Sequence, residues 1–207
     1  MNVLNQLASA LNRRDEVPNQ ELAQRIVAAN DAAAVRELVA HLQHKNKAVP
    51  SDCIKVLYEI GAHAPQLIAP YYREFAQLLT SKQNRLVWGA MTALDTIAAH
   101  NPKAIYSLLP QIIATADSGS VITRDHAVGV LVKLGALKAY EAECVPLLLQ
   151  QLLSAPNNQL PMYAEMSLAV INRNNQQRFT QVLQQRLNGL EKESQRKRVE
   201  KVLKKLG

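Results

Sequence analysis

Aromatic side chains make up only 4% of this 207-residue sequence, and glycine occurs just 7 times. Sheet proteins rely on aromatic and β-branched residues and on frequent turn glycines, so a β-sandwich or barrel is excluded. Cysteine is nearly missing as well. Cys53 and Cys144 stand far apart in no metal-binding or redox spacing, and they read as small apolar fillers in a reducing, cytoplasmic setting. Long apolar runs are absent. The longest uncharged stretch, residues 144–164, is interrupted by Gln150, Gln151, Pro156, Asn157, Asn158 and Pro161, which excludes a membrane span there. The first residues show no basic segment leading into an apolar one, so no secretory signal is expected. Arg13 and Arg14, which would suit a transit peptide, are followed at once by Asp15 and Glu16. Glycine-rich phosphate loops, paired-cysteine zinc motifs and nucleophile elbows are also lacking.

What the sequence does have is 48% hydrophobic residues, with alanine, leucine and glutamine in excess. That composition suits a folded, helical chain. It also repeats itself. Ile60, Ile97, Leu134 and Ile171 are spaced 37 residues apart, as are Leu57, Leu94, Leu131 and Leu168. Cys53, Ala90, Ala127 and Ala164 keep the same step with small side chains. Leu42, Leu79, Ala116, Leu153 and Leu190 extend it to a second face. The phrase Ile60-Gly61-Ala62-His63-Ala64-Pro65 recurs as Ile97-Ala98-Ala99-His100-Asn101-Pro102. A fixed period of this length is the signature of stacked supersecondary units.

Within each unit the apolar steps are 3, 4 and 7, the helical period. Turn-forming stretches at 80–84, 117–120 and 154–158 separate two helices, and those around Pro65, Pro102 and 172–175 separate one unit from the next. The spacing therefore predicts an all-α chain of about six helix pairs, at 2–13/19–30, 31–44/48–63, 66–80/84–99, 103–116/121–136, 141–154/159–173 and 176–190/192–206. Residues 1–207 read as one solenoid domain. Its parts are an irregular N-terminal capping pair at 1–30, regular 37-residue repeats at 31–190, and a basic capping helix at 191–207.

On these residues, and on first-helix prolines at Pro70, Pro110 and Pro146, the chain resembles the HEAT-repeat family over roughly residues 31–207. The segment Thr123-Arg124-Asp125-His126-Ala127 follows the family's second-helix pattern, with Arg124 at its basic position. Val87, Pro50 and Pro161 stand there in other units, so the family's ladder of acidic–arginine pairs is mostly missing. The resemblance implies an armadillo-type α-solenoid, a right-handed superhelix of antiparallel pairs whose second helices line a concave side. Proline kinks in the first helices would suit its curvature.

On those second helices, positions off the core stripe should face outward. One such row is Ser51, Trp88, Asp125 and Met162; the next is Lys55, Thr92, Gly129 and Met166; a third is Tyr58, Asp95, Val132 and Ala169. Trp88 is the sole tryptophan. With Tyr58, Met162, Tyr163 and Met166 it forms a candidate apolar groove for a peptide or helix, and Thr92, Asp95, Arg124 and Asp125 join it as polar candidates. His41 and His44 lie three apart without a third ligand and read as a solvated helix end. His63 and His100 recur at helix ends in a structural role, and His126 does not face its neighbour Asp125. No metal or cofactor is expected. HEAT-like alkylpurine DNA glycosylases use concave aromatic and acidic residues, which Trp88, Asp95 and Arg124 would match, although one tryptophan leaves that pattern incomplete. Bilin-lyase activity, also found among HEAT-like chains, has no specific residue in support.

Charge is uneven. Lys and Arg total 24 against 17 Asp and Glu, a net of +7, and residues 165–207 carry +6 of it. Arg196, Lys197, Arg198, Lys201, Lys204 and Lys205 are thus candidates for binding a polyanion such as nucleic acid, or else the polar outer face of a capping helix. The leading expectation is a non-enzymatic scaffold that binds a protein segment on its concave face, off the membrane. Nucleic-acid binding at the basic end is the alternative.

Overall fold

The computed structural model describes residues 3–206, and among them every regular element is helical. The chain divides into two compact units, Met1–Ala127 and Val128–Gly207.

In the first unit, α1 (Val17–Ala29) and α2 (Ala32–Ala40) are followed by α3 (Ala48–His63). Next come α4 (Pro65–Ile68), a 3-10 turn at Ala69–Tyr71, α5 (Tyr72–Leu78) and α6 (Asn84–Ile97). The helices α7 (Pro102–Ser107), α8 (Leu109–Ser118) and α9 (Val121–Gly135) complete it, and the division falls inside α9. The second helices stack, α1 on α3 and α3 on α6, while α2 and α5 cover α3 and α6. Asn30 and Asp31 show how two residues set a boundary. Asn30 closes α1 in the left-handed conformation (φ 49°), and the Asp31 carboxylate accepts from the N–H of Ala33 and Ala34 at 3.0 Å to open α2.

The second unit holds α10 (Lys138–Ser154), α11 (Leu160–Ser167), α12 (Gln176–Leu187) and α13 (Glu193–Lys204). Its layers are α10 with α12 and α11 with α13. Arg186 of α12 closes the end of α10, its guanidinium donating to the carbonyls of Leu153 (2.5 Å) and Ala155 (2.8 Å). Those carbonyls lack helical partners, and a cation at a helix C-terminus also opposes the macrodipole.

The periodic rows form the core. Cys53, Ala90, Ala127 and Ala164 are fully buried, as are Leu57, Leu94 and Leu131, and Ile60, Ile97 and Leu134. Four sequence expectations fail. No helix spans 2–13; the described part of that segment has only a 3-10 turn at Leu4–Gln6. Three of its amides go to side chains instead, Val3 N–H to Glu37, Ala8 N–H to Asn19 and Ser9 N–H to Asp52, while others close single turns on backbone carbonyls. Val3, Leu7 and Ala8 are nonetheless buried, so apolar spacing there reported burial rather than helix.

The fourth copy of the core row also departs. After Ser167 the amides of Leu168, Ala169 and Val170 bond three residues back, a tighter winding than the α-helix. Val170 turns inward as a result, and Leu168 and Ile171 are left half-buried. Leu153 is exposed and Leu152 takes its place. In earlier repeats the first helix breaks into α4/α5 or α7/α8, whereas α10 runs unbroken and shifts its register by one residue. Finally, only two of the three prolines mark breaks. Pro70 lies in the 3-10 turn and Pro110 in the first turn of α8, but Pro146 sits inside α10, where both it and Ala142 face solvent.

Candidate functional site

Lys55, Tyr58 and Glu59 project from one side of α3, and Arg85 and Trp88 from the adjoining side of α6; spacings of three and four put each set on one face. Glu16, just ahead of α1, reaches the same place. Lys55 Nζ donates to Glu16 Oε2 at 2.8 Å and to Glu59 Oε1 at 2.5 Å, and stands 4.9 Å from the centre of the Tyr58 ring. Arg85 donates to Glu16 Oε1 at 2.7 Å, with its guanidinium 5.7 Å from the centre of the Trp88 ring. The Tyr58 and Trp88 rings are 5.9 Å apart, inclined at 50°. Two cations, two carboxylates and two rings thus form a neutral network in which both rings are half-buried, with Arg85 Nε left without a hydrogen-bond partner.

The electrostatics follow from this geometry. Hydrogen bonding by Lys55, reinforced by Arg85, outweighs burial and holds the Glu16 carboxyl below its ordinary value. Burial by itself would lower the Lys55 ammonium, but its bonds to Glu16 and Glu59 prevail and raise it. Burial raises the Tyr58 phenol. Beside Arg85 opens a hollow of about 280 Å³ lined by Ser9, Arg13, Arg14, Asp15 and Ser51, over the buried Asn19–Asp52 hydrogen bond of 2.8 Å.

Other candidates fall differently. The row Lys55, Thr92 and Gly129, expected to face outward, is buried. The Thr92 hydroxyl donates to the Trp88 carbonyl at 2.8 Å, so Thr92 anchors the backbone beneath Trp88 and offers nothing to a partner. Asp95 is largely covered, and its Oδ2 lies 2.9 Å from Nδ1 of His126. Sequence reasoning separated His126 from Asp125 but missed Asp95, 31 residues away on the preceding second helix; the repeat step was the available signal, because it places α9 after α6. Arg124 and Asp125 are half-buried on α9.

In the second unit Tyr163, grouped with the groove from the sequence, is fully buried and belongs to the core. Met162 and Met166 are half-buried on α11, beside the exposed Glu165. On α13, Val199 and Val202 are buried, while Arg196, Lys197, Arg198, Lys201, Lys204 and, just past its end, Lys205 are all exposed. Two of these six are engaged: Lys197 with Glu193 at 2.6 Å, and Arg198 in a two-pronged bond to Glu165 at 2.8 and 2.7 Å. That bond holds the Glu165 carboxyl below its usual value, helped by the charges of Lys201 and Lys205.

Burial pushes the Cys53 thiol up to about 12 and the Cys144 thiol up to about 11. The His41 and His44 rings meet edge-on at 5.9 Å. Among the described residues, no group of three or more His, Cys, Asp or Glu is placed to hold a metal, and no helix is long and apolar enough to cross a membrane.

No family model matches the chain, and no curated protein matches it. Solved structures do. An engineered protein aligns over 100% of this chain and 99% of its own at 19% identity, with a TM-score of 0.65. A designed armadillo repeat protein in complex with the peptide (KR)4 aligns over 99% of both chains at 16% identity, with the same TM-score. Computationally designed armadillo repeat proteins for modular peptide recognition align over 98% of this chain and 97% of theirs, at 16% identity and TM-score 0.65. The fold is therefore an armadillo/HEAT-type repeat solenoid.

Proposed function

We propose that this protein is a non-enzymatic repeat scaffold that binds a protein segment on its second-helix side, with Trp88 as the anchor. The observation that carries this reading is the Trp88–Tyr58 pair, half-buried and flanked on its two sides by Arg85 and Lys55. Aromatic side chains on rigid elements make strong binding anchors, because little conformational freedom remains to be lost when a partner arrives. The similar designed armadillo repeat proteins, made for peptide recognition or solved with a bound peptide, support the same reading. Here the carboxylates beside Trp88 already hold Lys55 and Arg85, so the segment expected presents an apolar or aromatic side chain rather than a run of lysines and arginines. The buried thiols suit a reducing compartment such as the cytoplasm.

Selection from a random displayed-peptide library tests this directly. Peptides bound by the parent should lose about 2 kcal/mol or more of affinity in Trp88→Ala, the loss typical of an aromatic hot spot. Their binding should change little with salt. Selected peptides that bind Trp88→Ala as tightly as the parent, with its melting temperature unchanged, would remove Trp88 from the site.

A further inference from the structure

We infer that the second-helix face of the C-terminal unit, formed by α11 and α13, docks an acidic amphipathic helix of a partner protein. The inference rests on the reading that second-helix faces receive protein segments, and it assigns a separate surface with its own chemistry.

The apolar half of the surface is Met162 and Met166. They stand one helical turn apart on α11 and are half-buried, whereas Leu160, Tyr163 and Ala164 of the same helix fill the core. Unbranched thioethers adapt to the shape laid against them, which suits a docking stripe. The charged half comes from α13, which packs against α11. Arg198 bonds Glu165, and the charges of Lys201 and Lys205 bear on the same carboxyl. Three cations therefore crowd one carboxylate, leaving an excess of positive charge beside the methionines. Helical spacing sets Glu200 beside Lys197 and Lys204 and away from Arg198 and Lys205, so the excess around Glu165 stays.

The spacing points to a helix as occupant. Lys201 and Lys205 follow one another at an interval of four, a rise of about 6 Å, in line with Lys197, which Glu193 already holds. Carboxylates four residues apart on a partner helix repeat at the same distance, with an apolar stripe alongside to meet the methionines. Nucleic acid fits less well. Tyr163 and Phe179 are buried, so neither offers a ring on which bases could stack, and thioethers gain nothing against phosphates.

The test uses the full chain and a fluorescent amphipathic peptide of about 20 residues, with glutamate at every fourth position beside a leucine stripe. It should bind the parent and weaken at least about tenfold in a Lys201→Glu, Lys205→Glu variant, as expected for desolvated charge pairs. The same peptide with lysine for glutamate should bind that variant and not the parent. Met162→Ser with Met166→Ser should weaken the glutamate peptide too, and all four side chains are at least partly exposed, so the fold should survive. Equal binding by parent and charge variant overturns the inference. So does equal binding of a leucine-free glutamate peptide, or tighter binding of a DNA duplex of about 20 base pairs. If the glutamate peptide fails while library peptides still depend on Trp88, this assignment falls and the scaffold reading stands.

Discussion

At the scale of single residues, Lys55 controls the Trp88 neighbourhood. Its side chain is only 7% exposed, yet Glu16 and Glu59 satisfy its charge and the Tyr58 ring covers it. An ammonium this buried needs its partners ionised. The Glu16 carboxyl is held below its unfolded value near 4.5, so its contribution to stability is complete above that pH and is lost as the pH falls through the lower, folded value. Acid titration followed by circular dichroism should therefore show stability falling below about pH 4.5, with Glu16→Gln flattening that part of the curve. An unchanged acid limb in the variant would mean that the Lys55–Glu16 bond carries little weight. With Cys53 pushed up to about 12 and Cys144 to about 11, both stay protonated near neutral pH as well as being buried. An aromatic disulfide reagent should modify them only as fast as the protein unfolds; prompt reaction of the native protein would contradict their placement.

At the scale of helices, close approach is the controlling feature. A Cβ on Gly61 of α3 would lie 2.2 Å from Thr96 Oγ1 of α6 and 2.5 Å from Ile68 Cδ1. Gly61→Ala should cost about 1–3 kcal/mol, the usual range for overpacking, measured by urea denaturation. A neutral result would mean that α3 and α6 can separate there freely. This contact was hidden in the sequence, where Gly61 and its repeat counterpart Ala98 look interchangeable; only the seating of Thr96 tells them apart. The core rows themselves could be read from spacing alone, because a 37-residue step imposes the same burial on Leu57, Leu94 and Leu131. Spacing failed where the backbone left the α-helical winding. At Leu168–Val170 tighter turns moved burial from Ile171 to Val170, and near the start side chains of Glu37, Asn19 and Asp52 replaced helical carbonyls. The candidate site was half visible for the same reason. Trp88 and Tyr58 followed from their two rows, but Lys55 and Thr92 were drawn inward by a glutamate far along the chain and by a backbone carbonyl. Neither pull leaves a periodic trace.

At the scale of the whole molecule, the net +7 divides by place and by use. Residues 165–207 carry +6 of it, and on α13 Arg198 and Lys197 are already engaged by Glu165 and Glu193. Around Trp88, by contrast, Glu16 and Glu59 hold Lys55 and Arg85, so the proposed recognition there rests on shape and aromatic surface. Trp88 is the sole tryptophan, so its indole N–H gives a single resonance in a nitrogen-labelled sample. Following that resonance while a library-selected peptide is titrated into the full chain tests the scaffold reading most directly. The resonance should shift progressively and saturate with the peptide's binding isotherm. If it stays in place while the peptide binds, Trp88 is not the anchor.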